Sequence, residues 1–329
     1  MVGATRGIEA TLLPERKPAY RFHLLEMEPI HRRAWWRNVR WLWLGPRLLI
    51  ACRKLIQKEK PALVVGTGGY VSGPVLFAAH RAGVPVVLQE QNAYPGLATR
   101  LAARWASEIF VGFEEVIPRL ERRGLKITVT GNPVRSSDPG DGGSLEIPDG
   151  MSTCLVMGGS QGAMRINEAV SNALDAGKLN DVALLWSTGS RTYESYRRHH
   201  QPPMRQVKSF WNPIDPAYRA ADVVVCRAGA MTIAELQEWA LPSILIPLPS
   251  AAGDHQTRNA RAMETRGAGV HLAEKDLTPE TLVRQLEGLL TDRTQLSAMA
   301  KAARSGANPG AASTIAARLS ALLDAESLS

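Results

Sequence analysis

One short segment, Ala221–Glu235, limits most strongly what this chain can fold into. Its sequence is ADVVVCRAGAMTIAE, in which the apolar run Val223–Cys226 has the β-branched bias of a buried parallel strand and the residues from Met231 onward have a helical pattern. A strand that enters a helix through a small-residue turn directs free N–H groups and the positive end of the helix dipole at one point. The segment predicts a diphosphate site, with Glu235 placed to accept hydrogen bonds from a ribose diol. The alternative is an ordinary strand–loop–helix unit with a solvated glutamate.

The same succession of strand, turn and helix recurs along most of the chain. Glycine-rich turns occur at 66–69 and 158–162, and Ser72 is expected to cap a helix over Pro74–Ala82. A further helix is expected over Pro95–Trp105. The alternation predicts an α/β fold of two Rossmann-like halves with a cleft between them. The predicted strands are Arg21–Met27, Leu63–Gly66, Pro85–Gln89, Glu108–Val111, Ile127–Val129, Cys154–Met157, Val182–Trp186, Gln206–Phe210, Val223–Cys226, Ile244–Ile246 and Gly269–Leu272.

A change in composition marks the expected boundary between the two halves. The stretch 136–150 is rich in Ser, Gly, Asp and Pro, which is typical of an interdomain linker. It separates an expected domain at 1–135 from a second at 151–310. The helix expected at 311–329 is predicted to return to the first domain.

Charge, cysteine usage and apolar runs limit the partners, the cell compartment and the kinds of site that this chain can have. The 329 residues carry a net charge of +8, which favours an anionic partner: a nucleotide, a nucleic acid or an acidic lipid. The three cysteines are scattered and form no CxxC pair, which indicates a reducing compartment and no metal site. Arg47 interrupts the best apolar run, Trp41–Cys52, so no membrane span is predicted.

The segment His31–Lys58 combines tryptophan with arginine. It holds no acidic residue and half of the chain's eight tryptophans. On a helix, Trp36, Val39 and Trp43 share one face, and arginines line the adjoining face. Indoles beside guanidinium groups suit the headgroups of an anionic membrane. A core helix with snorkelling arginines and a nucleic-acid patch are the alternatives. The predicted membrane patch consists of Arg33, Trp35, Trp36, Arg37, Arg40, Trp41 and Trp43.

Several polar residues are candidates for a ligand site. Ser160 lies at an expected helix start, where N-capping and phosphate contact use the same geometry. Arg135 is a fixed-charge donor suited to a diphosphate, or a surface charge of the linker. Glu90 and Asn92 follow a predicted strand, and Asp254–Gln256 opens a predicted helix, where the side chains could contact sugar hydroxyls or Asp254 could act only as an N-cap. The glycine turns lack a clean dinucleotide fingerprint, and no Ser-His-Asp set or metal cluster is visible.

Taken together, six segments resemble the MurG family of GT-B glycosyltransferases. The resemblance implies an inverting transfer of N-acetylglucosamine from UDP-GlcNAc to the C4 hydroxyl of MurNAc in undecaprenyl-pyrophosphoryl-MurNAc-pentapeptide, which converts lipid I into lipid II in peptidoglycan synthesis. It also implies a peripheral enzyme at the cytoplasmic face of the bacterial inner membrane, with no obligatory cofactor and no nucleic-acid partner. The matching segments are GTGGYVSGP (66–74), PVVLQEQN (85–92), GNPVR (131–135), GGSQGA (158–163), ADVVVCRAGAMTIAE (221–235) and DHQTRNA (254–260).

The resemblance also implies roles for single residues. Ser160 and Arg135 would hold the UDP diphosphate, Glu235 the ribose hydroxyls, and the main chain of Trp211 the uracil. Gly68, Gly69 and Tyr70 would face the lipid-linked acceptor. The residues implied to contact UDP-GlcNAc are Asn92, Arg135, Ser160, Trp211, Ala230, Met231, Thr232, Ile233, Ala234, Glu235, His255 and Gln256.

One part of the family pattern has no match in this chain. The family begins with a strand and a TGGH-x-x-P loop, so the resemblance implies an N-terminally shortened first domain in which strand 21–27 lacks its natural neighbour. That loop would supply a histidine proposed as the catalytic base, and Glu90 is then the evident carboxylate candidate. The alternatives are a shortened chain that binds UDP-GlcNAc without transfer, and another GT-B enzyme of UDP-sugars such as an epimerase.

Overall fold

The computed structural model describes residues 1–5, 10, 20–27, 39, 41–135, 144–158 and 163–327. Its backbone contacts form two compact units, unit 1 with Met1–Thr130 and Thr314–Ser329, and unit 2 with Gly131–Ser313. The expected domain limits at 135, 150 and 310 stay predictions. Most of the expected linker, Ser160 of the expected diphosphate site, and Arg33, Trp35, Trp36, Arg37 and Arg40 of the expected membrane patch lie outside the described residues.

Parallel strands and helices alternate along the described chain. The strands are β1 (Val2–Ala4), β2 (His23–Leu25), β3 (Val64–Gly66), β4 (Val86–Glu90), β5 (Ala106–Val111), β6 (Lys126–Val129), β7 (Ser152–Met157), β8 (Val182–Ser187), β9 (Arg205–Lys208), β10 (Val223–Cys226), β11 (Ser243–Leu245) and β12 (Val270–His271). The α-helices are α1 (Trp41–Glu59), α2 (Ser72–Arg81), α3 (Leu97–Ala102), α4 (Ile117–Leu120), α5 (Met164–Asp175), α6 (Tyr193–Tyr196), α7 (Asp215–Ala220), α8 (Ala230–Glu238), α9 (His255–Thr265), α10 (Pro279–Thr291), α11 (Arg293–Ser305) and α12 (Ala311–Ser327).

Unit 2 is built on a six-stranded parallel sheet with the order β12-β11-β10-β7-β8-β9. The four residues of β10 are all buried, because this strand lies in the middle of the sheet. Trp186 on β8 is fully buried, and its indole N–H donates to Asn167 on α5 at 3.0 Å. Each of the eleven predicted strands matches one of β2–β12 to within two residues at either end. The predicted α/β class with two Rossmann-like halves is confirmed.

Unit 1 has a four-stranded parallel sheet with the order β3-β4-β5-β6, and β1 pairs with β2 in a separate two-stranded sheet. All five residues of β4 are buried. Strand 21–27, which was expected to lack its natural neighbour, forms β2 and pairs in parallel with β1, where Val2 lies opposite His23. Strand β1 has only three residues, too few for its apolar pattern to be recognised in the sequence.

Two expected helix starts in unit 1 are corrected by the turns before them. Ser72 does not cap its helix: it is the first residue of α2, and its hydroxyl donates to the carbonyl of Gly68. The backbone of Gly68 has a φ of +88°, a left-handed conformation that favours glycine and folds this carbonyl back onto the helix. Helix α3 begins at Leu97 rather than Pro95, because Gly96 is extended and its N–H donates to Glu90 at 3.1 Å.

The expected helical face of Trp36, Val39 and Trp43 stays a prediction. Helix α1 begins at Trp41, so Val39 lies before its first residue, and Trp36 lies outside the described residues. Trp43 lies in the first turn of the helix. Among the described helices, none is long and apolar enough to cross a bilayer.

A buried carboxylate joins the C-terminal helix to the sheet of unit 1. Glu108 on β5 is only 1% exposed, and it accepts hydrogen bonds from Arg318 on α12 at 2.9 Å and from Thr128 on β6 at 2.6 Å. Burial raises the pKa of Glu108. The two hydrogen bonds and the charges of Arg318 and Lys126 outweigh it, so the pKa lies below its usual 4.5. The ionised carboxylate is therefore part of the folded state.

We expect Arg318→Met to destabilise unit 1 at pH 7 by about 3 kcal/mol, because it removes the closer of the two cations beside the buried carboxylate of Glu108. Urea unfolding measures this loss. The native pKa of Glu108 is lowered, so the stabilisation is complete above pH 4.5 and is lost as the pH falls through the lower native value. The difference between the two proteins should therefore shrink below pH 4.5.

Lys126→Met is the matched control for this substitution. Its ammonium lies 3.6 Å from the same carboxylate but its side chain is 54% exposed, so we expect a loss of at most about 1 kcal/mol. Equal losses in the two variants would contradict the assignment of Arg318 as the main partner of Glu108.

Candidate functional site

A cavity of about 480 Å³ opens at the carboxyl ends of the central strands of unit 2. Met157 and Cys226, the last residues of β7 and β10, form part of its lining. Pockets of this size hold small ligands, and open parallel sheets bind them at this edge. The other lining residues are Gly158, Ala163, Met164, Arg165, Arg227, Gly229, Thr232, Leu248, Gln256 and Glu274.

The turn between β10 and α8 presents the start of the helix to this cavity. Gly229 occupies the N-cap position in an extended conformation, and no side chain of the described residues caps the helix there. The side-chain amide of Asn132 donates to the carbonyl of Ala230 at 3.4 Å, and that of Asn259 donates to the carbonyl of Ala228 at 3.2 Å. Both asparagines are buried. They fix the turn and leave the first N–H groups of α8 as donors for an anion.

Arg227, also in the cavity lining, connects the β10–α8 turn to the loop after β11. Its guanidinium donates to the carbonyls of Ile246 and Pro247, each at 3.2 Å, and forms an ion pair with Glu274. The side chains of this pair are only 14% and 17% exposed. From the other side, Gln256 accepts a hydrogen bond from the N–H of Leu248 at 2.9 Å. The loop after β11 is therefore held at two points, and the amide Nε2 of Gln256 is not used in that bond.

Glu235 lies one turn inside α8 and is half-buried. Its Oε2 accepts a hydrogen bond from the hydroxyl of Tyr218 on α7 at 2.8 Å. Burial raises the pKa of Glu235 above its usual range and the charge of Asp215 adds to this, whereas the Tyr218 hydrogen bond and the charge of Arg135 oppose it. Arg135 itself is exposed.

The other expected ligand residues of unit 2 differ in their surroundings. The ring of His255 is hydrogen-bonded to the carbonyl of Ala252 at 2.7 Å. Asp254 occupies the N-cap position of α9, but its carboxylate accepts from the hydroxyl of Thr257 instead of from a backbone N–H. Trp211 is buried beneath the ammonium of Lys208, 3.9 Å from the ring centroid. Among the described residues, the indole N–H of Trp211 has no hydrogen-bond partner.

In unit 1, Glu90 ends β4 and organises the loop that follows. Its Oε1 accepts from the backbone N–H of Asn92 at 3.1 Å and from the Asn92 side chain at 3.3 Å, and its Oε2 accepts from the N–H of Gly96. The carboxylate is almost fully buried. Glu90 therefore holds Asn92 in place. Its expected role as a base stays a prediction.

The glycine turn after β3 borders a second cavity, of about 500 Å³, in unit 1. Gly68, Gly69 and Tyr70 all line it. Both glycines have positive φ values, +88° and +76°, which favour glycine, and Tyr70 is partly exposed. The three residues expected to face the acceptor thus lie together on one cavity wall.

Helix α1 presents apolar and basic side chains to solvent on one face. Trp43 is 76% exposed, and Ile50 is 56% exposed two turns further on. Arg47 lies between them and Lys54 follows, both exposed. The spacing of these residues puts indole, alkyl and cationic groups on a common stripe.

Two features of the site were missed in the sequence, Tyr218 beside Glu235 and Glu274 beside Arg227. Each reaches its partner from a separate element, so no local spacing connects them. Among the residues that the structure describes, no group of three or more His, Cys, Asp or Glu side chains is placed to hold a metal ion.

Comparisons with known proteins identify related chains over nearly the full length. The Glycosyltransferase family 28 N-terminal domain matches residues 1–111, and the Glycosyltransferase family 28 C-terminal domain matches residues 153–315. A protein of Prosthecochloris aestuarii, named UDP-N-acetylglucosamine--N-acetylmuramyl-(pentapeptide) pyrophosphoryl-undecaprenol N-acetylglucosamine transferase, is 38% identical over 98% of this chain and 89% of its own length. A protein of the same name from Chlorobium phaeobacteroides is 40% identical over 96% of this chain and 88% of its own length.

A solved structure is also similar to this chain over most of its length. The crystal structure of MurG from Acinetobacter baumannii aligns with a TM-score of 0.74 at 28% identity. The alignment covers 95% of this chain and 88% of that one.

We expect Arg227→Met to destabilise unit 2 by about 3 kcal/mol, because it leaves the largely buried Glu274 without its cation and two carbonyls without their donor. Denaturant unfolding measures the loss. Arg165→Met is the control, because Arg165 pairs with Glu168 on the surface, with side chains 57% and 40% exposed, and should cost at most about 0.5 kcal/mol. A loss for Arg227→Met no larger than that of the control would contradict the role given to the Arg227–Glu274 pair.

Proposed function

The chain belongs to glycosyltransferase family 28, and on this premise we propose that it transfers N-acetylglucosamine from UDP-GlcNAc to the C4 hydroxyl of MurNAc in undecaprenyl-pyrophosphoryl-MurNAc-pentapeptide, which converts lipid I into lipid II in peptidoglycan synthesis. The observation that carries the proposal is that relatives 38% and 40% identical over almost the whole chain are named for this transfer. The anion-directed turn beside the unit 2 cavity supports it independently.

The leaving group of this reaction is UDP, and the start of α8 is suited to bind its diphosphate. The first N–H groups of the helix, those of Ala230, Met231 and Thr232, add their dipoles at one point. Arg135 contributes a fixed positive charge, and Ser160 contributes a hydroxyl. These groups stabilise the negative charge that develops on the diphosphate oxygen as the bond to the anomeric carbon breaks.

The nucleoside and the sugar use the side chains around that turn. Glu235 accepts hydrogen bonds from the ribose hydroxyls, and the main chain at Trp211 contacts uracil. Gln256, His255 and Asn92 contact the N-acetylglucosamine. The support for Gln256 is its place in the cavity lining, with its amide donors free of the Leu248 bond. Ile233 and Ala234 complete the set of residues proposed near the nucleotide.

The acceptor approaches from unit 1 residues. Gly68, Gly69 and Tyr70 contact the lipid-linked acceptor, whose C4 oxygen attacks the anomeric carbon in line with the departing UDP. A new carbon–oxygen bond forms as the bond to the diphosphate breaks, so the configuration inverts. A base takes the proton of the C4 hydroxyl, and Glu90 is the candidate on this chain. To act, its carboxylate would exchange one of its loop hydrogen bonds for the substrate proton.

The acceptor's undecaprenyl chain lies in a bilayer, so the enzyme has to meet a membrane surface. We propose that the exposed stripe of α1 rests on the cytoplasmic face of the bacterial inner membrane. The indole of Trp43 and the alkyl side chain of Ile50 insert at headgroup depth, while Arg47 and Lys54 attract anionic lipids.

We expect the purified chain to transfer labelled N-acetylglucosamine from UDP-GlcNAc to the lipid I acceptor in detergent, with release of UDP. Arg135→Ala should raise the KM for UDP-GlcNAc about tenfold, since it removes one charge-assisted contact with the diphosphate. Initial rates of lipid-linked product formation measure both.

Calorimetry with two ligands provides the control. Arg135→Ala should weaken binding of UDP but leave binding of uridine unchanged, because uridine has no diphosphate. Glu235→Ala should weaken both ligands alike. Turnover of UDP-GlcNAc with no product on the lipid acceptor would contradict the proposed transfer, and binding of UDP with no transfer would favour a nucleotide-sugar binder.

For the membrane contact, we expect Trp43→Ser to weaken binding of the chain to phosphatidylglycerol-containing vesicles about tenfold. The variant lacks the large apolar side chain that transfers from water into the membrane. Vesicle sedimentation measures the partition. Phe210→Ser is the matched control: Phe210 is an aromatic side chain 52% exposed in unit 2, and its removal should change nothing. Equal losses in the two variants would contradict a docking role for α1.

A further inference from the structure

The proposed contact of Glu235 with ribose does not account for the hydrogen bond that Tyr218 donates to its carboxylate. A glutamate has three rotatable side-chain bonds, and an unrestrained carboxylate would lose this freedom each time a ligand binds. Here Oε2 is already engaged by the Tyr218 hydroxyl at 2.8 Å. A carboxylate offers about four lone-pair positions, so Oε1 and the second lone pair of Oε2 stay available to two ligand hydroxyls.

Tyr218 is itself held rigidly. Its side chain is only 2% exposed, and its ring lies 5.9 Å from that of Trp239, at the end of α8. Burial raises the pKa of Tyr218 far above its usual value, and the neighbouring carboxylate of Glu235 adds to this, so the hydroxyl is a permanent donor at neutral pH. A neutral donor locked in a packed helix fixes the position of the acceptor it meets.

The groups around Glu235 show why the Tyr218 hydrogen bond matters for the charge of its carboxylate. Burial raises the pKa of Glu235, and the charge of Asp215 in the first turn of α7 raises it further, so both disfavour the ionised carboxylate. Arg135 favours it, but this side chain is exposed and is assigned to the diphosphate. The thiol of Cys226, at the end of β10, has its pKa raised by burial to about 12, so it is neutral. Tyr218 is thus a buried neighbour whose hydrogen bond favours the ionised form of Glu235.

We propose that Tyr218 is a positioning residue for ribose recognition: its hydroxyl orients the Glu235 carboxylate so that both ribose hydroxyls of the nucleotide are bound at once. This inference rests on the proposed function, in which UDP is the nucleotide. Tyr218 does not touch the ligand. Its contribution is a carboxylate that is already ordered before the nucleotide arrives.

Calorimetry on the full chain with UDP and with 2′,3′-dideoxy-UDP, which lacks both ribose hydroxyls, tests the inference. We expect Tyr218→Phe to bind UDP about tenfold more weakly than the unmodified chain, because the Glu235 carboxylate is no longer held in position for the ribose hydroxyls. The dideoxy ligand has no ribose hydroxyls, so both proteins should bind it equally well. Tyr196→Phe, which removes a hydroxyl from a tyrosine packed on Trp186, is the matched control and should leave both affinities unchanged.

A pH series provides a readout that a packing defect would not change. The Tyr218 hydrogen bond lowers the pKa of Glu235, so its loss raises that pKa. The affinity for UDP depends on ionised Glu235 and falls as the pH drops. In Tyr218→Phe this decline should begin at a higher pH than in the unmodified chain.

The possible outcomes separate the two proposals. If the unmodified chain binds no UDP, the proposed function fails and this inference fails with it. If the chain binds UDP and Tyr218→Phe retains the full preference for UDP over the dideoxy ligand, the inference alone is overturned. Equal weakening of both ligands also overturns it, because that pattern indicates a packing role. The preference is a ratio measured on the folded fraction of one sample, so a variant that is partly unfolded still decides between these outcomes.

Discussion

The parallel pairing of β10 with β7 is the interaction on which the unit 2 site depends. Val223 lies opposite Cys154 and Cys226 opposite Met157, so the two strands end at the same edge of the sheet. Both strands are buried in the middle of the sheet, and a shift of register by one residue would exchange the side chains that pack on its two faces. This pairing fixes the position of the turn that follows β10. The first N–H groups of α8 therefore point toward the cavity. The cavity is a consequence of this alignment.

Buried polar side chains then fix the loops that follow the strands. Asn132 and Asn259 satisfy the carbonyls beside Gly229, and Arg227 satisfies the carbonyls after β11. An unsatisfied carbonyl at such a depth costs free energy, so these bonds exclude other conformations of the loops. Glu90 works similarly in unit 1, where it orders the loop of Asn92. The polar groups of both sites thus serve first to hold backbone in place, which is the condition for precise ligand contacts.

Glu235 illustrates how the site balances burial against charge. Depth makes its carboxylate a selective acceptor, because water competes less for its hydrogen bonds. The same depth disfavours the ionised form, which is the form that accepts from two hydroxyls. Tyr218 and Arg135 offset this cost from two sides, one buried and neutral, the other exposed and charged. A carboxylate balanced in this way is strongly sensitive to the loss of either neighbour.

The sequence by itself determined the order of strands and helices, the α/β class and the small-residue turn between β10 and α8, because apolar runs and small-residue turns are local patterns read over a few residues. It also predicted ligand contacts for Glu235 and Gln256. Only the tertiary structure decided what these residues touch. Tyr218 and Glu235 are 17 positions apart, and Glu108 and Arg318 are 210 apart, so no period along the chain relates them. The hydroxyl of Ser72 likewise donates to the carbonyl of Gly68, a partner that the glycine turn in the sequence does not reveal. Local patterns set the elements, whereas side-chain partners are chosen by packing between elements.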